Sequence, residues 1–173
     1  MAELVILTEA GGSVGYGHLM RCRAIADAAD GELRVQGYGA YPGGDGIREQ
    51  AWMNHPETLI RELPSTCPVL VDSYLATREV YELLSRHFDR VAVIDDYDRM
   101  SYPVDLLINP GLKLPPYREQ TATVVGGREF VILRDAIRRQ TPKSDYACIM
   151  KNVLVTFGGS DNWNMFDRLV PKL

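Results

Sequence analysis

A chain of 173 residues, 46% hydrophobic and 24% charged, has the size and composition of one ordinary domain with a substantial apolar core. Its formal net charge of −4 excludes a general binder of nucleic acid or anionic membrane, but leaves room for a small anion held by backbone amides. Cys22, Cys67 and Cys148 stand far apart with no CxxC or Cys/His cluster, so neither a disulfide framework nor a zinc site is expected, and free thiols fit a reducing cytoplasm.

The N-terminal segment lacks the basic stretch and long apolar run of a signal peptide. No apolar run approaches the roughly 18 residues of a membrane-spanning helix, so a soluble, cytoplasmic protein is expected. Residues 4–7 predict a buried first strand. A Gly-rich turn follows, then a helix over about 18–30 with Leu19, Cys22, Ile25 and Ala29 as its apolar stripe and Gly31 as its stop. Residues 33–35 predict a weaker strand, and the Gly- and Pro-punctuated stretch 38–64 a loop with one short helix around 47–53. Residues 69–71 predict a strand ending at Asp72, Ser73 and Tyr74. A helix over about 78–88 turns Val80, Leu83, Leu84 and Phe88 inward, and 91–94 predict a buried strand ending in Asp95 and Asp96. Short strands at 106–108 and 124–125 flank a bend at Pro115 and Pro116. Residues 153–157 predict a last strand running into Gly158, Gly159, Ser160 and Asp161, then a short helix with Met165, Phe166, Leu169 and Val170 on one side.

Continuous apolar strands alternating with helices predict an α/β fold, a parallel sheet with helices on both faces. The segment 138–145 is polar and contains Pro142, and the linker is read over 138–150. The expected organisation is therefore a domain over 1–137, the linker, and a second domain of which 151–173 form the first strand, Gly loop and helix.

Ligands of such sheets bind outside the carboxyl ends of the strands. Three polar clusters sit at such ends: Gly15-Tyr16-Gly17-His18, Asp72-Ser73-Tyr74 and Asp95-Asp96. The Gly loop lets the backbone turn tightly and approach a ligand, and the helix after it aims free N–H groups at an anion. The spacing is not a dinucleotide fingerprint, since Met20 stands where the third Gly belongs, nor is it a P-loop. His18, in the first helical turn, is costly to charge beside the positive helix end; this suits a neutral general base, with capping of the loop as the alternative. His55 and His87 read as surface or packing residues. Asp72 and Ser73 either bond sugar hydroxyls or phosphate, or cap the next helix; Tyr74 fits a cap less well. Asp95 and Asp96, neighbours on an extended chain, point to opposite faces and need not share a site. With no third carboxylate at metal-ligand spacing, no metal and no cofactor are expected. The Gly158-Gly159-Ser160-Asp161 turn is either a second anion site or a plain strand–helix connection.

The run Thr8-Glu9-Ala10-Gly11-Gly12-Ser13-Val14-Gly15-Tyr16-Gly17-His18-Leu19-Met20-Arg21-Cys22 resembles the N-terminal signature of spore-coat-polysaccharide-type proteins, relatives of the nucleotide-sugar hydrolase of the pseudaminic acid pathway. Val71-Asp72-Ser73-Tyr74, Ile94-Asp95-Asp96, Leu107-Ile108-Asn109, Leu133-Arg134 and Val155-Thr156-Phe157-Gly158-Gly159-Ser160-Asp161 recur in that family in the same order; 38–64 is the least matched stretch. The resemblance implies a GT-B-like architecture, two Rossmann-like lobes similar to the murein glycosyltransferase, with this chain as the N-terminal lobe. It implies that His18 is the base for a water attacking the anomeric carbon of a UDP-sugar, UDP leaving, in surface-polysaccharide or nonulosonic-acid biosynthesis. It also implies substrate contacts from Gly15, Gly17, Asp72, Tyr74 and Asp96, and nucleotide contacts from Gly158, Gly159, Ser160 and Asp161. Leu7 and Glu9 stand where family hydrolases carry Arg and Asp, implying a different sugar or a different reaction. The family's second lobe supplies most UDP contacts, and only its first strand, Gly loop and helix are expected within 151–173. The chain alone is therefore expected to be weakly active or inactive, and to self-associate or to take a partner chain supplying that lobe. Two alternatives stand beside this: a GT-B glycosyltransferase whose His18 activates an acceptor hydroxyl, and a non-catalytic half that needs a partner lobe.

Overall fold

The computed structural model describes residues 4–12, 14–117, 119–141, 154–156 and 164–172. Strands β1 (Val5–Ala10), β2 (Glu32–Gly37), β3 (Ile47–Glu49), β4 (Val69–Asp72), β5 (Val91–Ile94), β6 (Leu106–Asn109) and β7 (Thr123–Gly126) form one seven-stranded sheet in the order β3-β2-β1-β4-β5-β6-β7. Every neighbouring pair is parallel. Helices α1 (Gly17–Ala29), α2 (Pro56–Glu62) and α3 (Arg78–His87) connect the first five strands, and the short α4 (Asp135–Arg138) and α5 (Met165–Leu169) follow the sheet. This is the Rossmann-like α/β arrangement expected from the alternation of apolar strands and helices.

Strand alternation divides the interior between the two faces. Val5, Leu7, Val69, Val71, Val91 and Val93 pack with Leu59 of α2 and Tyr81 and Leu84 of α3, while Ile6, Leu70 and Ile94 pack on the other face with Leu19, Cys22 and Ala26 of α1. Each such fully buried aliphatic side chain contributes roughly 1.5–3 kcal/mol, so both faces must be covered; β2 differs in setting Glu32, Arg34 and Gln36 on one side of the strand. The winding reverses between β1 and β4, and there the connections after the two strands diverge to opposite sides of the sheet and leave a crevice at their carboxyl ends.

Several local expectations differ from the structure. The loop 38–64 holds an edge strand at 47–49, where a helix is expected, and its helix begins only at Pro56. Ile47 to Glu49 pair with Leu33 to Val35, so ladder bonds outweigh the local pattern. Pro56 in the first turn, Glu57 beside it and Arg61 in the last turn account for α2. Within this segment Arg34, 2% exposed, meets Glu32 at 2.9 Å, Glu62 at 2.7 Å and Gln50 at 2.9 Å, tying β2 to α2. On α1 Leu19 and Cys22 are buried as expected, but Ala26 rather than Ala29 completes the buried stripe, and Ala29 is exposed. The left-handed cap is Asp30 at φ 52°, while at Gly31 a Cβ would lie a tight 3.2 Å from the Leu4 carbonyl oxygen. β1 runs on through Thr8, Glu9 and Ala10, all buried. Of the strand expected at 153–157, Leu154, Val155 and Thr156 have no regular structure, and Val153 and Phe157 lie outside the described residues. No helix among the described residues is long and apolar enough to cross a membrane.

Candidate functional site

The connections after β1, β4 and β5 assemble a polar cluster at the crevice. After β1 the chain turns tightly: the Gly11 N–H reaches the Gly15 carbonyl at 3.2 Å, and the Gly15 N–H reaches that of Gly11 at 2.9 Å. The glycines of this turn serve different ends. Gly15 sits at φ +79°, and at Gly11, φ +121°, a Cβ would come within 2.7 Å of the Tyr38 backbone. Gly17 meets neither condition, since a Cβ there finds nothing within 4 Å. Gly17 opens α1, and Tyr16 before it makes no side-chain capping bond, so the first amides of the helix receive no acceptor from their cap. Gly11→Ala is expected to destabilise the fold by about 2 kcal/mol or more through the backbone clash. Gly17→Ala is expected to leave stability unchanged or to raise it by up to about 1 kcal/mol. Urea denaturation of the two variants measures the contrast.

One turn of α1 carries the reactive groups. Asp72, the last residue of β4, pairs in register with Thr8 of β1 and turns its carboxylate toward α1. His18 Nδ1 lies 2.8 Å from Asp72 Oδ1. Arg21 donates from Nε to Asp72 Oδ2 at 2.8 Å and from Nη2 to Oδ1 at 2.6 Å, and its Nη1 reaches both oxygens of Asp96 at 3.0 and 2.9 Å. Cys22 completes the shell of Asp72 with an S–H donated at 3.4 Å. Tyr74, beyond β4, donates its hydroxyl to Asp96 Oδ2 at 2.8 Å and sets its ring edge-on to His18, centroids 4.2 Å apart. Tyr97 stands next to Tyr74 at 5.9 Å.

The charges follow from this geometry. Burial works to raise the Asp72 carboxyl, but the hydrogen bonds from His18 and Arg21 outweigh it and hold the group below its ordinary value. Burial works to lower the Arg21 guanidinium, and Asp72 and Asp96 reverse this and raise it. Burial raises Tyr74, and its bond to Asp96 adds to the effect, so the phenol stays protonated. With Asp72 ionised, Nδ1 of His18 carries the proton shared with Oδ1 and Nε2 is the basic nitrogen. Nε2 has no hydrogen-bond partner among the described residues.

His18, Asp72, Tyr74 and Asp96 thus meet in one network, with Gly15 and Gly17 in the adjoining loop. Gly158, Gly159, Ser160 and Asp161 lie outside the described residues. Ser73 serves the turn: its hydroxyl accepts the amides of Leu75 at 3.0 Å and Ala76 at 2.9 Å. Asp95 turns away from the cluster and accepts the amides of Tyr97 at 3.2 Å and Arg99 at 3.0 Å. The helix-end field on His18 is joined by a buried carboxylate behind Nδ1, a tertiary contact across 54 positions of sequence. Arg21 is absent from the expected site residues, although its place three after His18 puts both on one helical face. Glu9, buried and bonded to the Tyr74 amide, is likewise absent from them. Compared with known protein families, curated proteins and solved structures, the chain finds no match.

Proposed function

We propose that this protein takes part in nucleotide-sugar hydrolysis, His18 removing a proton from the water that attacks the anomeric carbon of a UDP-sugar. The observation that carries this reading is the His18–Asp72 pair at the crevice between β1 and β4. Asp72 fixes the ring and its tautomer, and its charge stabilises the imidazolium formed when Nε2 takes the proton. In the reaction the water oxygen bonds to the anomeric carbon, the bond from that carbon to the β-phosphate oxygen breaks, and UDP leaves with the electron pair.

The other groups around the pair support the reading. The uncapped amides at the start of α1 and the open face of Gly17 suit a diphosphate accumulating negative charge. Asp96 lies beside the rings of Tyr74 and Tyr97, the latter 72% exposed. A carboxylate acceptor next to bare aromatic surface suits a sugar, whose hydroxyls need acceptors and whose C–H face packs on rings.

Incubation of the chain, with the second lobe that the resemblance implies supplied alongside, with a panel of UDP-hexoses and UDP-N-acetylhexosamines in ¹⁸O-labelled water tests it. Mass spectrometry is expected to find the label in the released sugar and none in UDP. Label in the UDP phosphate shows attack at phosphorus and overturns the proposal; UDP release that requires an added acceptor assigns the site to transfer instead.

A further inference from the structure

β1 carries a buried acid, Glu9, for which the reaction above has no use. Glu9 follows Thr8, so strand alternation turns it away from α1, toward the face that α3 covers. It is fully buried; Oε1 accepts the Tyr74 N–H at 2.7 Å, and Oε2 has no hydrogen-bond partner. On the far side of the same turn, Arg99 donates to the carbonyl of Tyr74 and, at 3.0 Å, to that of Ser73. The Tyr74 backbone is therefore held at its N–H by Glu9 and at its C=O by Arg99. That backbone directs the ring that packs against His18 and the hydroxyl that bonds Asp96.

We infer that Glu9 is a positioning residue that sets Tyr74 against His18, and that it does so as the neutral carboxylic acid. The inference rests on the reading of His18 as the base. A buried carboxylate with one amide donor and one bare oxygen leaves most of its charge uncompensated, whereas the neutral acid accepts the same Tyr74 N–H and buries an O–H dipole in place of a full charge. The guanidinium of Arg21 is engaged by Asp72 and Asp96, and that of Arg99 by the carbonyls of Ser73, Tyr74 and Ala76. Of the groups facing Glu9, Asp72 on β4 repels a negative charge and His18 on α1 attracts one. Tyr81 on α3 presents a neutral hydroxyl without a partner, and Gln36, opposite on β2, is uncharged. Burial, helped by Asp72, pushes the carboxyl above its ordinary 4.5 against the opposing effects of Ser73, the Tyr74 amide and His18. Ionisation at higher pH sets a second buried negative charge near Asp72 and loosens the turn that carries Tyr74. For stability, a raised folded value means that Glu9's contribution is complete below 4.5 and is lost as pH rises through the folded value.

The test uses carboxyl-¹³C-labelled glutamate, with the Glu9 resonance assigned by its absence in Glu9→Gln. Glu9 is expected to titrate above its ordinary value of 4.5. As it does so, the wild type is expected to lose the nuclear Overhauser contact between the rings of His18 and Tyr74. Glu9→Gln, which mimics the neutral acid, keeps that contact across the whole range, and Glu9→Ala lacks it throughout. Should Glu9→Ala not fold, the wild type and Glu9→Gln decide the matter. Titration of Glu9 at or below the ordinary value overturns the inference, and so does a pH-dependent loss of the ring contact that persists in Glu9→Gln. None of these readouts involves UDP, so failure here and failure of the hydrolase reading are separately visible.

Discussion

In the presence of the second lobe that the resemblance implies, His18→Ala is expected to slow UDP release from a UDP-sugar by about 10²–10⁴-fold, the usual contribution of a positioned general base. The loss should fall on kcat with little change in KM, because the base acts on the attacking water and the rest of the network binds the substrate. Asp72→Asn should approach the same loss by a different route. An amide in place of the carboxylate removes the charge behind the ring and, where its NH₂ group faces Nδ1, holds the proton on Nε2. Steady-state kinetics on the purified variants provides the comparison. Turnover unaltered in His18→Ala would remove the proposed agent and with it the hydrolase assignment.

Asp72→Ala is expected to cost about 1.5–3 kcal/mol of folding stability, because Arg21, 19% exposed, keeps Asp96 but loses the second of its two carboxylate partners, and His18 loses its acceptor. Asp72→Asn should cost less, since the amide oxygen still accepts one bond. Because the folded carboxyl is held below its ordinary 3.8, Asp72 contributes stability that is complete above 3.8 and is lost as pH falls through the folded value. The stability gap between wild type and Asp72→Asn, measured as the urea midpoint, should therefore hold near neutral pH and shrink on acidification below 3.8. A gap that widens in acid contradicts an ionised Asp72 in the folded chain.

The site was partly legible before the structure because its pieces sit at strand ends. A histidine after a run of glycines, and aspartates closing apolar strands, mark the carboxyl edge of a parallel sheet whatever the strand order. Arg21 was less visible. Its partners stand 51 and 75 positions away, and on the helix it reads as one more surface charge. Glu9 was hidden for a related reason: a carboxyl in a buried strand contradicts the apolar pattern, and only the return of the chain after β4 gives it the Tyr74 amide. The segment 47–53 misled in the opposite sense, since Ile47 to Glu49 are too few to show a period and owe their strand to β2.

By itself the sequence determined the fold class, the two covered faces of the sheet, and the places of β1, α1, β4, α3 and β5. Apolar periodicity is written locally, and each of these segments buries its apolar residues wherever its neighbours stand. Only the tertiary structure decided the strand order, the union of His18, Arg21, Asp72, Tyr74 and Asp96, and the burial of Glu9 behind them. These depend on side chains meeting across strands, and a charge becomes buried or paired only when the sheet has closed around it.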